Sequence, residues 1–294
     1  MRIEPEPFPY RWVRRLCWLI LAPPRRVPGP RPALAPLARL LLAATLLLPT
    51  LHVLAVDEFT VIHTFGRSAD YSAGANMPGL VQGADGDLYG VTATAGQGIA
   101  FKISVGGGFT LLHAFSGGLD GGDPDGALMQ SSDGYFYGTT CFGGANSHGT
   151  VFRLSANGEL VTLFSFGYFL QGWNPVGALV QGRDGYLYGT TSNGGSNYWG
   201  TVFKISTNGT LTNLYAFTNG LDGASPMAGV VQGTDGNFYG TASAGGAYSN
   251  GTVFQITSNG AFTALHSFSL TSRSAQGRLL SFNDLRKFYL LRRK

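Results

Sequence analysis

The sequence is poor in cysteine, and poor in basic charge where it would matter most. Two cysteines stand among 294 residues, and only Cys141 lies beyond the N-terminal leader read below, so no internal disulfide survives leader removal. Cys141 fills a repeat position held elsewhere by Ala93, Ser192 and Ser243, which suits a small residue in a tight site. A reactive thiol would need a neighbour that lowers its pKa, and none is identifiable. Between Val56 and Phe268 stand 5 Lys or Arg against 13 Asp or Glu, about −8 net, so the +4 of the whole chain belongs to its two ends. An acidic region does not suit nucleic acid, whose binding rests on neutralising phosphates. Absent too are a nucleophile elbow, a phosphate loop and a metalloprotease helix motif. The glycine-rich runs have no following helix that could hold a phosphate. The expectation is therefore no catalytic residues, no metal, no cofactor and no enzyme.

What is abundant is glycine, and it is periodic. Of 44 glycines, 42 lie between Val56 and Phe268. Asp-Gly-x-(Leu/Phe)-Tyr-Gly begins at Asp85, Asp133, Asp184 and Asp235; Gly-Thr-Val-Phe begins at Gly149, Gly200 and Gly251, with a weaker copy at Gly98, each 51 residues after the last. A fixed period means that one unit cannot bury its apolar face alone. In the third copy Gly177–Gln181 reads as a short strand and Asp184-Gly185 as a turn. Tyr186–Thr191, Thr201–Ser206 and Leu211–Phe217 read as three more strands, with Asn208-Gly209 a hairpin signal. Four short antiparallel strands per unit of this length predict an all-β, β-propeller-like array of four repeats. A β-helix is the runner-up, but its coils are much shorter.

The fourth-strand pattern occurs a fifth time, at Phe59–Phe65, and predicts one extra N-terminal strand. In a four-bladed ring it would compete with Phe262–Phe268 for one place. The expected organisation is a leader over residues 1–55 and a repeat domain over 56–268, with copies near 79–115, 124–166, 175–217 and 226–268. A basic tail over 269–294 carries no Asp-Gly-x-x-Tyr-Gly and reads as an aberrant or non-repeat end. Open sheet edges invite self-association.

The ordered set Gly-Ala-Leu-Val-Gln, Asp-Gly-Tyr-Leu-Tyr-Gly-Thr-Thr, Gly-Gly, Gly-Thr-Val-Phe-Lys-Ile-Ser and Asn-Gly resembles the GloVer (Gloeo-Verruco) tandem repeat family over about Phe59 to Phe268. The resemblance implies a propeller-like architecture, secretion or surface display in bacteria, and no established chemistry. Against that pattern the chain has few repeats and no recognisable C-terminal anchor. Its first copy is degenerate, with the short loop Ala95–Gly98 and Ile99-Ala100 in place of Thr-Val.

Arg31 and Arg39 precede the apolar core Leu40–Leu48, and Val53-Leu54-Ala55 resembles a cleavage site. These are the parts of a secretory signal. The expected location is outside the cell or at its surface. The alternative is membrane anchoring through an uncleaved leader, the only membrane contact expected.

Asp85, Asp133, Asp184 and Asp235 each sit in an Asp-Gly turn, which explains them as turn caps. Asp120, Asp123 and Asp125 lie close enough for calcium but lack a calcium-loop spacing. His63, His113 and His266 share a position with Phe164 and Tyr215, so a ring that packs is expected there. The aromatics that differ between copies are more informative. Trp173, Tyr198, Trp199 and Tyr248 fall in loops, where rings on a rigid scaffold make binding faces. They are the candidate binding residues, for a glycan or a protein partner. The function expected is an exported, non-enzymatic binding or structural module. The alternative is a secreted carbohydrate-active enzyme on a propeller scaffold.

Overall fold

The computed structural model describes residues 60–64, 76–94, 97–167 and 169–269. Contacts divide the chain into Met1–Phe59 and Thr60–Lys294, and all described residues fall in the second part. The leader, and the tail beyond Ser269, lie outside them.

The described residues form sixteen strands and no helix. Blade 1 holds β1 (Leu80–Gln82), β2 (Leu88–Thr94), β3 (Gln97–Ile103) and β4 (Phe109–Phe115). Blade 2 holds β5 (Met129–Gln130), β6 (Phe136–Thr140), β7 (Thr150–Leu154) and β8 (Leu160–Ser165). In blade 3 they are β9 (Val180–Gln181), β10 (Leu187–Thr191), β11 (Thr201–Ile205) and β12 (Leu211–Ala216). Blade 4 closes the series with β13 (Val231–Gln232), β14 (Phe238–Ala242), β15 (Thr252–Ile256) and β16 (Phe262–Ser267). Each blade is an antiparallel sheet whose strands pair in chain order, so the array is propeller-like, as its repeats predict.

The two strongest motifs meet across β2–β3 and its copies. The Gly of Tyr-Gly faces the Phe of Gly-Thr-Val-Phe: Gly90↔Phe101, Gly138↔Phe152, Gly189↔Phe203, Gly240↔Phe254. A Cβ on these glycines would stand 2.4 to 2.6 Å from the ring's tip. The glycine is thus a socket for a ring lying flat along the sheet, and the two motifs repeat together because each needs the other.

The Asp of each turn has two bonds. In the third copy one oxygen of Asp184 accepts from the Tyr186 amide at 3.3 Å and the other from the Tyr188 hydroxyl at 2.6 Å. Asp85, Asp133 and Asp235 repeat both contacts. These carboxylates hold turns, as expected.

The core lies between blades. Each blade's outgoing face meets the incoming face of the next, and three buried clusters fill the three junctions. Tyr89 stacks on Phe136 at 4.0 Å and Tyr188 on Phe238 at 3.8 Å. Polar clasps flank the rings. The Gln ending each first strand accepts from a turn amide of the preceding blade: Gln130 from Ala84, Gln181 from Ser132, Gln232 from Arg183. A bulge in each fourth strand shifts the register after Ala100, Val151, Val202 and Val253. It turns a leucine toward the next blade, whose turn glycine closes on that carbonyl: Gly158 on Leu112, Gly209 on Leu163, Gly260 on Leu214.

Strands end where this stitching begins. β9 is two residues long rather than the expected Gly177–Gln181. Gly177 instead lies against the Gly229 backbone, where a Cβ would meet the nitrogen at 2.2 Å. Backbone contact between blades replaces the ladder there.

Candidate binding face

In an antiparallel meander the loop from second to third strand and the crossing to the next blade share one end. Here that end is built from left-handed backbone. Gly143-Gly144, Gly194-Gly195 and Gly245-Gly246 have φ between 68° and 81°. Ser147, Tyr198 and Ser249 follow at 58° to 66°, and Asp123, Asn174 and Ser225 in the crossings at 50° to 54°. Each crossing is bonded on both sides. The Asn174 amide donates to the His148 carbonyl at 3.1 Å, and the Asn174 carbonyl accepts from Ser192 at 3.1 Å. Ser225 does the same between Trp199 and Ser243. The result is a backbone frame common to all junctions, on which the side chains are free to differ.

At the junction of blades 2 and 3 they are rings. Trp173 lies 5.5 Å from His148 and 6.4 Å from Tyr198, and Phe169 lies 6.1 Å from Tyr198. Tyr198 and Phe169 are 52 % and 57 % exposed. Of the four expected binding residues, the structure brings Trp173 and Tyr198 together. Trp199 and Tyr248 are exposed, and no ring contact joins them to this cluster among the described residues.

Phe169 escaped the sequence reading, and its signal was a departure from the repeat. The equivalent crossings run Ser116-Gly-Gly-Leu-Asp120-Gly and Thr218-Asn-Gly-Leu-Asp222-Gly, but blade 2 has Gly167-Tyr-Phe-Leu-Gln171-Gly. In the first two the carboxylate ties the loop. Asp222 accepts from the Thr218 amide at 2.7 Å and the Tyr215 hydroxyl at 3.0 Å. Asp120 accepts from the Ser116 amide at 3.0 Å and meets His113 Nε2 at 3.0 Å. Burial raises the Asp120 pKa, but the Ser116 hydroxyl and amide and the His113 ring outweigh it and hold it low. Burial, with Asp222 beside it, pushes Tyr215 up to about 12. Where Gln171 replaces the carboxylate, Phe164 replaces the donor ring. The carboxylate tie thus has no counterpart there among the described residues, and Phe169 is exposed.

The remaining candidates have local roles. Asp120 belongs to its loop, whereas Asp125 accepts from Cys141 Sγ at 3.0 Å and from Asn76 at 3.4 Å. Among the described residues no cluster of three or more His, Cys, Asp or Glu could hold a metal ion. Cys141 is buried, and burial with the Asp125 carboxylate pushes its pKa far up, the opposite of activation. His113 and His266 pack edge-on against Phe115 and Phe268.

A family model described as the Gloeobacter/Verrucomicrobia repeat matches residues 77–289. Comparison with curated proteins gives no match. Among solved structures, the chain is similar to a candidate 6-phosphogluconolactonase from Bacteroides uniformis, with 18 % identity, TM-score 0.42, and 65 % of this chain and 54 % of that one covered. A luciferin-regenerating enzyme has 15 % identity and TM-score 0.45, covering 66 % and 64 %. The periplasmic gluconolactonase of Pseudomonas aeruginosa has 15 % identity and TM-score 0.43, covering 68 % and 58 %. The chain thus spans less than two-thirds of each of these three. The expectation that this protein is not an enzyme is corrected by these neighbours, which are themselves enzymes or named as candidates. The physical reason is that short motifs report catalysis carried on one loop or helix. An array of blades assembles its sites from loops far apart in sequence, where no motif forms. At this distance the neighbours assign no activity.

Proposed function

The chain belongs to the Gloeobacter/Verrucomicrobia repeat family, and from that premise we propose that it is an exported binding module whose ring cluster at blades 2 and 3 recognises a glycan. One observation carries the reading: Trp173, Tyr198 and Phe169 gather on a bonded loop frame, with two of the rings open to solvent. Flat apolar rings with polar edges suit the faces of sugars, and ordering them costs little when the backbone is already held. Export rests on the leader, with its basic flank, apolar core and small residues before Val56.

The test is isothermal titration of the protein against xylan, β-glucan, pectin and dextran, with the same mixtures assayed for released reducing ends. Binding to at least one is expected. Trp173→Ala and Tyr198→Ala should each weaken it about tenfold or more, a loss of about 1.4 kcal/mol. Tyr135→Ala, on a first-to-second-strand turn and so at the opposite end of the strands, should leave it unchanged. Undiminished binding in both cluster variants would remove the ring cluster from the mechanism. For export, N-terminal sequencing of secreted protein should begin at Val56; an intact Met1 would refute cleavage.

A further inference from the structure

Each junction frame has two places that can carry a ring, one in the crossing and one in the loop of the blade before it. At the junction of blades 2 and 3 these hold Trp173 and His148, whose rings lie 5.5 Å apart. At the junction of blades 3 and 4 they hold Ala224 and Trp199. Backbone bonds fix the equivalence. The Ser225 amide donates to the Trp199 carbonyl at 2.8 Å, as the Asn174 amide donates to that of His148 at 3.1 Å. Ala224 pairs with Ala244 as Trp173 pairs with Asn193. A small buried residue therefore stands where the neighbouring junction has its indole, and the indole comes from the loop instead, 41 % exposed. At the junction of blades 1 and 2 the two places hold Gly122 and Gln97, and neither is a ring.

Tyr198 and Trp199 are consecutive, yet they belong to different junctions. The Tyr198 ring meets Phe169 and Trp173 of the crossing behind it, while the Trp199 carbonyl receives the crossing ahead. The Gly200 amide closes their loop on the Gly194 carbonyl at 2.9 Å, so the backbone under both rings is already held. Tyr248, 61 % exposed, follows in the equivalent loop of blade 4. Two consecutive junctions thus present rings at one end of the array. Sheets packed face to face lie about 10 Å apart, a step longer than a single sugar ring covers. Charge at this end is of one sign. The four described Lys and Arg side chains all find partners at the opposite end: Lys102 on Asp87 at 3.2 Å, Arg153 over the Tyr135 ring at 4.5 Å, Arg183 on the Thr234 carbonyl at 3.2 Å and Lys204 on the Ser258 carbonyl at 3.0 Å. Asp120, Asp123, Asp125 and Asp222 lie in the crossings. Among the described residues the ring-bearing end therefore has carboxylates and no Lys or Arg. Uronate or sulfate groups would be repelled there and would find no cation to pair with.

We infer, granted that the ring cluster of blades 2 and 3 takes a glycan, that this end is a two-station face for an extended, uncharged polysaccharide. Trp173, Tyr198 and Phe169 hold one stretch of the chain, and Trp199 with Tyr248 holds the next. Each station alone is a small apolar surface and binds weakly. A chain that reaches both binds far better than a fragment that reaches one, because the second contact is made intramolecularly on a frame that does not have to be ordered. The carboxylates of the crossings exclude the acidic polymers.

The test titrates the full chain with the hexasaccharides and disaccharides of neutral xylan, β-glucan and dextran, and with polygalacturonate. At least one hexasaccharide should bind about tenfold or more tighter than its own disaccharide, and polygalacturonate should not bind. Trp199→Ala and Tyr248→Ala, both at exposed positions and checked for an unchanged melting temperature, should each cut that ratio about threefold or more by weakening the hexasaccharide. Trp199→Phe keeps a ring and should cut it less. No gain with length, or a gain that both alanine variants leave intact, overturns the second station while the cluster of blades 2 and 3 keeps its glycan. Polygalacturonate binding as tight as that of the neutral sugars overturns the uncharged class in the same way. If no sugar of either length binds, the glycan reading itself falls and the two-station face falls with it.

Discussion

Replacing Gly189 with alanine drives a methyl group into the Phe203 ring. The new Cβ would lie 2.6 Å from Phe203 Cζ and 2.8 Å from Leu179 Cδ2. Both neighbours are buried at the junction with blade 2, so neither can swing out to solvent. The Gly189 backbone has ordinary dihedrals, so the cost is steric and not conformational. Overpacking of this kind costs about 1–3 kcal/mol. Stiffening the unfolded chain returns about 0.5–1 kcal/mol of it, leaving a net loss of about 0–2.5 kcal/mol. Phe203→Leu alone should also destabilise, by about 1–2 kcal/mol, through lost ring packing. In the double variant the shortened side chain makes room for the methyl. The two losses should then fall short of their sum by about 1 kcal/mol or more. Urea unfolding of the four proteins, followed by intrinsic fluorescence, measures this coupling. Losses that add to within about 0.5 kcal/mol would refute the socket argument, since independent sites behave that way.

Tyr188→Phe removes a hydroxyl that donates to Asp184 at 2.6 Å beneath blade 4, and should cost about 1–2 kcal/mol; Tyr239→Phe, at a ring that is half-buried, should cost less, and equal losses in urea would contradict the role of burial. The Tyr89 hydroxyl holds Asp85 low against a smaller opposing effect of burial, helped by the Asp87 amide and Lys102, and the Tyr239 hydroxyl does the same for Asp235 with Asn237. A depressed carboxylate pKa stabilises the fold above the unfolded value, about 3.9, and that share is lost as pH falls through the folded value. The melting temperature should drop below about pH 4, and less steeply for Asp235→Asn; a melting temperature unchanged from pH 5 to 3 would contradict this. In a Cys17→Ser variant, the Cys141 thiol should resist Ellman's reagent at neutral pH until urea exposes it. Rapid labelling of the folded protein would show that the site is open.

Much of the architecture could be read from spacing. The Asp-Gly and Asn-Gly turns divide each copy into strands of alternating character, and local chemistry suffices to place them. Nothing local reveals why Gly189 is glycine, because the ring that needs the room sits on the next strand, 14 residues on. The first strands were overextended for a related reason: Gly177 and Ala178 contact another blade, and only that contact ends the ladder. In the candidate site, the rings that interrupt the repeat identified Trp173 and Tyr198. Phe169 passed unnoticed because its only signal is that Gln171 stands where the other crossings carry Asp120 and Asp222.

The sequence by itself determined the repeat, its four strands, the turn carboxylates and the family, since all of these follow from residues near one another in the chain. Only the tertiary structure decided which rings share a junction, that Cys141 lies against a carboxylate, and that His63 stacks on Phe109 of blade 1. Those facts depend on which blade packs against which. That is settled by the shape of whole faces, and identical repeats carry the same residues whether or not a neighbour covers them.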